Sequence, residues 1–173
     1  MENKILIEDT IHSAARFSKD VLKNKYPSFF EQHLDVKIDY SPRRRTHRGG
    51  IYANGPAINI AAYLFKDLHK SQVIRFYEYP SYDDDPIIGG CFASPENFIY
   101  LTVGHEVAHA CQFFEKRRQK LENVTPHGVL FKNIYKDIRL ELNKLLVPQE
   151  WSTKEYSNLI TFIRKKEFSN ASV

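Results

Sequence analysis

His105, Glu106 and His109 stand in the order H-E-x-x-H within Gly104-His105-Glu106-Val107-Ala108-His109. A third histidine, His127, follows in Thr125-Pro126-His127-Gly128. On an α-helix, residues i and i+4 share one face, one turn apart. His105 and His109 can therefore offer two imidazole nitrogens to one metal ion at about 2.0–2.1 Å. Glu106, one position on, lies beside that pair, where it can take a proton from a water held by the metal, the general-base role of metalloproteases. A closed structural zinc site uses four protein ligands, whereas a catalytic one uses three and keeps a place for water. With His127 as the third ligand, the pattern is of the catalytic kind.

The competing reading is a helix with two unrelated histidines. The flanks weigh against it. Phe98, Ile99, Tyr100, Leu101 and Val103 precede the motif, and Ala108, Cys111, Phe113 and Phe114 follow His105, so the helix is expected to be buried. Polar side chains on a buried helix need partners, because each unsatisfied group costs roughly 1–3 kcal/mol. A metal supplies that partner. Cys111, two positions beyond His109, falls off the ligand face and reads as a core thiol.

The elements that must hold these residues follow from periodicity and breakers. Asp9–Lys25 reads as an amphipathic helix ended by Tyr26-Pro27, and Ser28–Leu34 as a short helix. Val36–Tyr40 alternates as a half-buried strand. Ile51-Tyr52 and Ala57–Ile60, with Asn54-Gly55-Pro56 between them, form an expected hairpin. Ala61–His69 reads as a short helix and Val73–Tyr79 as a strand, with a loop from Pro80 to Pro86. Ile87–Phe92, interrupted by Gly89-Gly90, reads as a short strand or a mobile flap, and Ser94–Asn97 as a turn. The motif helix is predicted from Asn97 or Phe98 to Gln119. Thr125 and Pro126 predict the N-cap and first residue of another helix, with His127 in its first turn. That helix continues on an apolar stripe to Leu146 and stops at Pro148. On it, Phe131 and Tyr135 are expected in the core, Tyr135 also within reach of the site edge. Ser152 to Lys166 reads as a final helix opened by a capping box of Ser152 and Glu155. The last five residues should fray.

Composition sets the frame. The chain has 173 residues, 42% hydrophobic, with 12 Phe and 10 Tyr, enough for the core of one domain spanning 1–173. Two cysteines, Cys91 and Cys111, are too few for a disulfide scaffold and lack zinc-ribbon spacing, which suits a reducing compartment. No signal peptide is expected from the acidic N-terminus, and no run approaches the ~20 apolar residues of a membrane span. A cytoplasmic protein is expected; no oligomeric state is set. The net charge of +4 permits an anionic partner. Arg43, Arg44, Arg45 and Arg48 cluster at the hairpin entry, and Lys116, Arg117 and Arg118 end the motif helix. Both segments can contact nucleic acid, since arginine forks suit phosphate. The alternatives are a solvated turn for the first and helix-end electrostatics for the second.

The pairing of His105-Glu106-Val107-Ala108-His109 with Thr125-Pro126-His127-Gly128-Val129-Leu130-Phe131 resembles the SprT-like zinc metalloproteases, the group that includes the Spartan proteases. The likeness covers roughly residues 36–142, and its specific part is the histidine pattern with His127-Gly128 and the aromatic Phe131. It implies an α+β, zincin-like core: a small, mostly antiparallel sheet packed on the H-E-x-x-H helix and a second ligand-bearing helix, with N- and C-terminal helices. It also implies Zn2+, Glu106 as base, and hydrolysis of proteins bound or crosslinked to DNA, hence a location at the nucleoid. Many such proteins carry a C-terminal zinc ribbon, and this chain has no cysteines for one. DNA contact therefore falls to the basic segments. A peptide substrate is expected to lie extended along a sheet edge near residues 87–101. A metalloprotease without a nucleic-acid role, and a non-catalytic DNA- or partner-binding protein with the same fold, are the alternatives.

Overall fold

The computed structural model describes residues 2–44, 46–68, 74–76 and 85–146. In chain order these form α1 (Glu2–Val21), α2 (Pro27–Phe30), β1 (Asp35–Asp39), β2 (Arg48–Tyr52), β3 (Gly55–Ala61), a 3-10 turn (Ala62–Phe65), β4 (Ile74–Phe76), β5 (Cys91–Ala93), α3 (Pro95–Gln119) and α4 (Val129–Leu146). The class is α+β. The expected helix from Ser152 to Lys166, the Pro148 expected to stop the helix before it, Arg45 and most of the 80–86 loop lie outside the described residues.

α3 is the element the others surround: it packs against α1, α2, α4, β2, β3, β4 and β5. That explains its composition. Leu101, Val103, Val107, Ala108, Ala110 and Cys111 are all fully buried, from every side of the helix rather than one stripe. Its close approach to α4 passes through Gly104, where a Cβ would stand 3.0 Å from Ile138 Cγ2 and 3.4 Å from Leu142 Cδ1. The start of α3 corrects the sequence reading. Ser94-Pro95 was expected to make a turn, but Ser94 is an N-cap whose Oγ accepts from Asn97 N at 3.2 Å, and Pro95 takes the first helical position. At the other end Lys120 adopts φ 52°, and Leu121 N donates back to Lys116 O at 3.0 Å, which closes the helix without a glycine.

Among the described residues, the expected small, mostly antiparallel sheet is two sheets. The first has the order β1-β3-β2: β2 and β3 form the anticipated antiparallel hairpin, but β1 runs parallel to β3. The second is the antiparallel pair β4-β5. The 3-10 turn after β3 takes the chain off the first sheet before β4 begins. Ile58 and Ile60, on one face of β3, are fully buried and join Ile11, Leu22, Leu101, Val107 and Ile138 in the core.

Of residues 87–92, which read as a short strand or a mobile flap, Cys91 and Phe92 join β5, and the part before them is fastened, with Asp85, to α4. Lys136 Nζ pairs with Asp85 at 2.6 Å, Arg139 Nη2 donates to Gly89 O at 3.2 Å, and Asn143 Nδ2 donates to Ile87 O at 3.1 Å. Among the described residues no helix is long and apolar enough to cross a membrane.

Candidate metal centre

His105 and His109 lie one turn apart on α3, their ring centroids separated by 4.8 Å. His127 reaches them from a turn, not from the first turn of a helix as its Thr-Pro setting predicts. Gly128 N donates to Thr125 O at 3.1 Å to close that turn, and α4 begins only at Val129. One nitrogen from each ring can be chosen so that all three lie within 4.8 Å of one another, and His109 Nε2 stands 2.9 Å from His127 Nε2. A tetrahedral ion with bonds of about 2.0–2.1 Å needs nitrogens about 3.3 Å apart, inside that range. The donor set therefore fits a metal ion, and all three donors are imidazoles, which suit several divalent transition metals.

The protonation state of His109 favours ligation. Burial, then the charge of His105, pushes His109 down to about 3; the Gln112 hydrogen bond opposes this and His127 adds to it. A ligand must present a lone pair, and His109 does so at neutral pH without expelling a proton. His47, behind the site, is also pushed down to about 4, by burial and then by His105. Its Nδ1 accepts from Ala61 N at 3.1 Å, and its ring stacks on Phe65. A neutral His47 adds no positive charge beside the three candidate ligands.

Aromatic rings floor the site. Phe131, fully buried, stacks on His109 at 4.3 Å and meets His105 and His127 edge-on at 4.9 and 5.0 Å. Tyr135 meets His105 at 5.4 Å and has no exposed surface, so it belongs to the core beneath the site rather than to its edge. Glu106 is 7% exposed, and its carbonyl lies under Gly49 of β2. Cys111 is a core thiol as expected: burial first, then Glu115 and Asp137, pushes it well above the ordinary thiol range.

Gln112 and His47 were not anticipated. Gln112 is fully buried, with His109 Nδ1 at 3.2 Å from its Oε1 and Thr125 O at 2.7 Å from its Nε2. Its signal in the sequence is slight: an amide three residues after His109 inside an apolar run. His47 is hidden among arginines.

The basic candidates fare unevenly. Arg43 and Arg48 are exposed and line a surface groove of about 400 Å³ with Asp39, Ser41, Arg44 and Thr46. Arg44 is committed to Asp39, Nε to Oδ2 at 3.1 Å. The Ser41 amide, then Arg44, holds the Asp39 carboxyl below the usual range. Arg118 is likewise committed, to the buried Glu115 at 2.6 Å. Arg117 is exposed and Lys116 half-buried, both in the last turn of α3. Compared with known proteins, the chain finds no match among family models, curated proteins or solved structures.

Proposed function

We propose that the chain is a zinc-dependent endopeptidase with a zincin-like core, its ion held by His105, His109 and His127 and its base supplied by Glu106. The observation that carries this reading is the convergence of three imidazole nitrogens within 4.8 Å, next to a carboxylate one residue along the helix from a ligand. When bound, Zn2+ would supply Lewis acidity for water and for a peptide carbonyl. The Glu106 carboxylate accepts the proton that water gives up as it attacks, and returns it to the leaving amine nitrogen. Burial of Glu106 keeps bulk water from competing for that proton.

The extended substrate is proposed to run along β2 rather than along residues 87–101, part of which is fastened to α4. Among the described residues β2 is an edge strand. Pro56, which has no N–H, stands opposite Ile51, so that pair is a non-hydrogen-bonded one. Gly49 falls in the same phase. The N–H and C=O groups of Gly49 and Ile51 therefore point away from β3, along the open edge of a strand whose face at Gly49 lies on Glu106 and His109, and suit strand addition.

Glu106→Gln should keep zinc and lower cleavage of an unstructured protein such as casein by about 10²–10⁴-fold. Undiminished cleavage would remove Glu106 from its role, and zinc uptake without any hydrolysis by the parent chain would favour a binding protein that keeps the fold. A second reading, substrates held on DNA, is favoured by the exposed Arg43 and Arg48 in their groove. It requires DNA binding that weakens with salt and with charge reversal at both arginines.

A further inference from the structure

We infer that Gln112 is a positioning residue that selects the tautomer of His109 and ties the His127-bearing turn to α3. The inference rests on the metal-site reading but makes a claim about the protein before any ion is added.

Two hydrogen bonds carry it. Gln112 Nε2 lies 2.7 Å from Thr125 O. A backbone carbonyl only accepts, so the amide nitrogen must face Thr125, and the orientation of the side chain is settled by chemistry. Oε1 then faces His109 Nδ1 at 3.2 Å. An amide oxygen also only accepts, so Nδ1 must carry the hydrogen. Neutral His109 therefore keeps its lone pair on Nε2, the nitrogen that stands 2.9 Å from His127 Nε2.

The second bond acts on the other ligand. Thr125 O receives the Gln112 amide and also the Gly128 amide at 3.1 Å, and that second contact closes the turn in which His127 sits. One fully buried amide thus joins the two ligand-bearing elements. It fixes which nitrogen of His109 is available and where His127 is presented. Neither a carboxylate nor a hydrocarbon performs both tasks: the first has no donor for Thr125, the second no acceptor for His109. Partners in this position typically alter metal affinity by about 10–100-fold when removed.

The experiment begins on protein stripped of metal with a chelator. Nitrogen-15 NMR of the imidazoles should report His109 of the parent chain as the Nδ1–H tautomer; an Nε2–H tautomer overturns the proposal without touching the zinc reading. Zn2+ affinity is then measured by chelator competition. Gln112→Met should bind Zn2+ about 10–100-fold more weakly and show mixed His109 tautomers. Affinity equal to the parent's overturns the proposal, whereas absence of zinc binding in the parent itself overturns the metal-site reading. Gln112→Glu separates the two tasks and covers the case in which the methionine variant does not fold. It should keep the Nδ1–H tautomer yet speed hydrogen exchange at the Gly128 amide. Unchanged exchange there would show that Gln112 does not hold the turn.

Discussion

Gly49 on β2 lies against the backbone of Glu106 on α3: a Cβ on the glycine would stand 1.9 Å from the Glu106 carbonyl oxygen and 3.0 Å from His109 Cβ. Strand and helix therefore meet main chain to main chain, which only glycine allows. The approach brings the β2 edge beside the candidate ligands. Gly49→Ala forces β2 and α3 apart, at a cost of about 1–3 kcal/mol or more by the usual penalty of overpacking. It should also weaken Zn2+ binding, because the displaced backbone is that of Glu106. Gly50→Ala is the control, since its Cβ would meet Phe113 and Tyr52 only at 3.9 Å. Urea denaturation of the two variants decides the matter; equal midpoints would mean that β2 does not lie on α3.

Phe131 touches all three histidine rings from beneath. Truncation to alanine should cost about 3–5 kcal/mol, as for other buried aromatics. Phe131→Leu is more informative. It refills most of the volume and costs less, but removes the flat surface on which the His109 ring stacks. Its Zn2+ affinity, measured well below the unfolding temperature, should fall while the fold persists. Parent-like affinity in the leucine variant would limit Phe131 to core packing.

The H-E-x-x-H spacing was legible because helical geometry is local: residues four apart share a face wherever the helix sits. The limits appear where a residue's partner is distant in sequence. Gly49 reads as one of two glycines at a hairpin entry, and nothing nearby reveals that Glu106 lies against it. Gln112 reads as a stray amide until Thr125 is folded onto it. The parallel pairing of β1 with β3 is a tertiary choice that alternation along Val36–Tyr40 does not encode. Ser94-Pro95 misled for another reason. A serine oxygen accepting an amide three residues on, next to a fixed proline φ, serves a turn and a helix start equally well. The same ambiguity displaced the start of α4 from Pro126 to Val129.

Acid should destabilise this fold before carboxylates titrate. His47 and His109 are held down to about 4 and about 3 from an ordinary 6.5. Between pH 6.5 and about 4 the unfolded chain binds protons at these sites that the folded chain refuses. Stability is therefore unaffected by them above the ordinary value and declines as pH falls through the window, by up to about 1.4 kcal/mol per pH unit for each histidine. Guanidinium denaturation of chelator-treated protein at pH 8, 7, 6 and 5 checks the slope. His47→Asn, which keeps an acceptor for the Ala61 amide, should remove part of it. A midpoint constant from pH 7 to 5 would contradict burial of both rings.

Arg139 gives the sharpest test of how residues 85–91 are held. It is 1% exposed, donates to Gly89 O at 3.2 Å, and lies 5.8 Å over the Phe76 ring and 5.7 Å from that of Tyr135. Two effects oppose each other in Arg139→Met. Loss of a charged donor removes roughly 1.5–3 kcal/mol of hydrogen bonding. Relief from burying a guanidinium offsets much of it, as replacements of buried ionic groups by apolar ones often show. Global stability should therefore shift by no more than about 1 kcal/mol. The local consequence is not offset, because nothing apolar can bond the Gly89 carbonyl. Hydrogen exchange across residues 85–93 should quicken in Arg139→Met, and further when Asn143→Ala removes the donor to Ile87 O. A segment that exchanges no faster in the double variant would be held by something other than Arg139 and Asn143, such as the Lys136–Asp85 pair. A segment that does so, with zinc affinity unchanged, would place these residues outside the machinery that binds the ion.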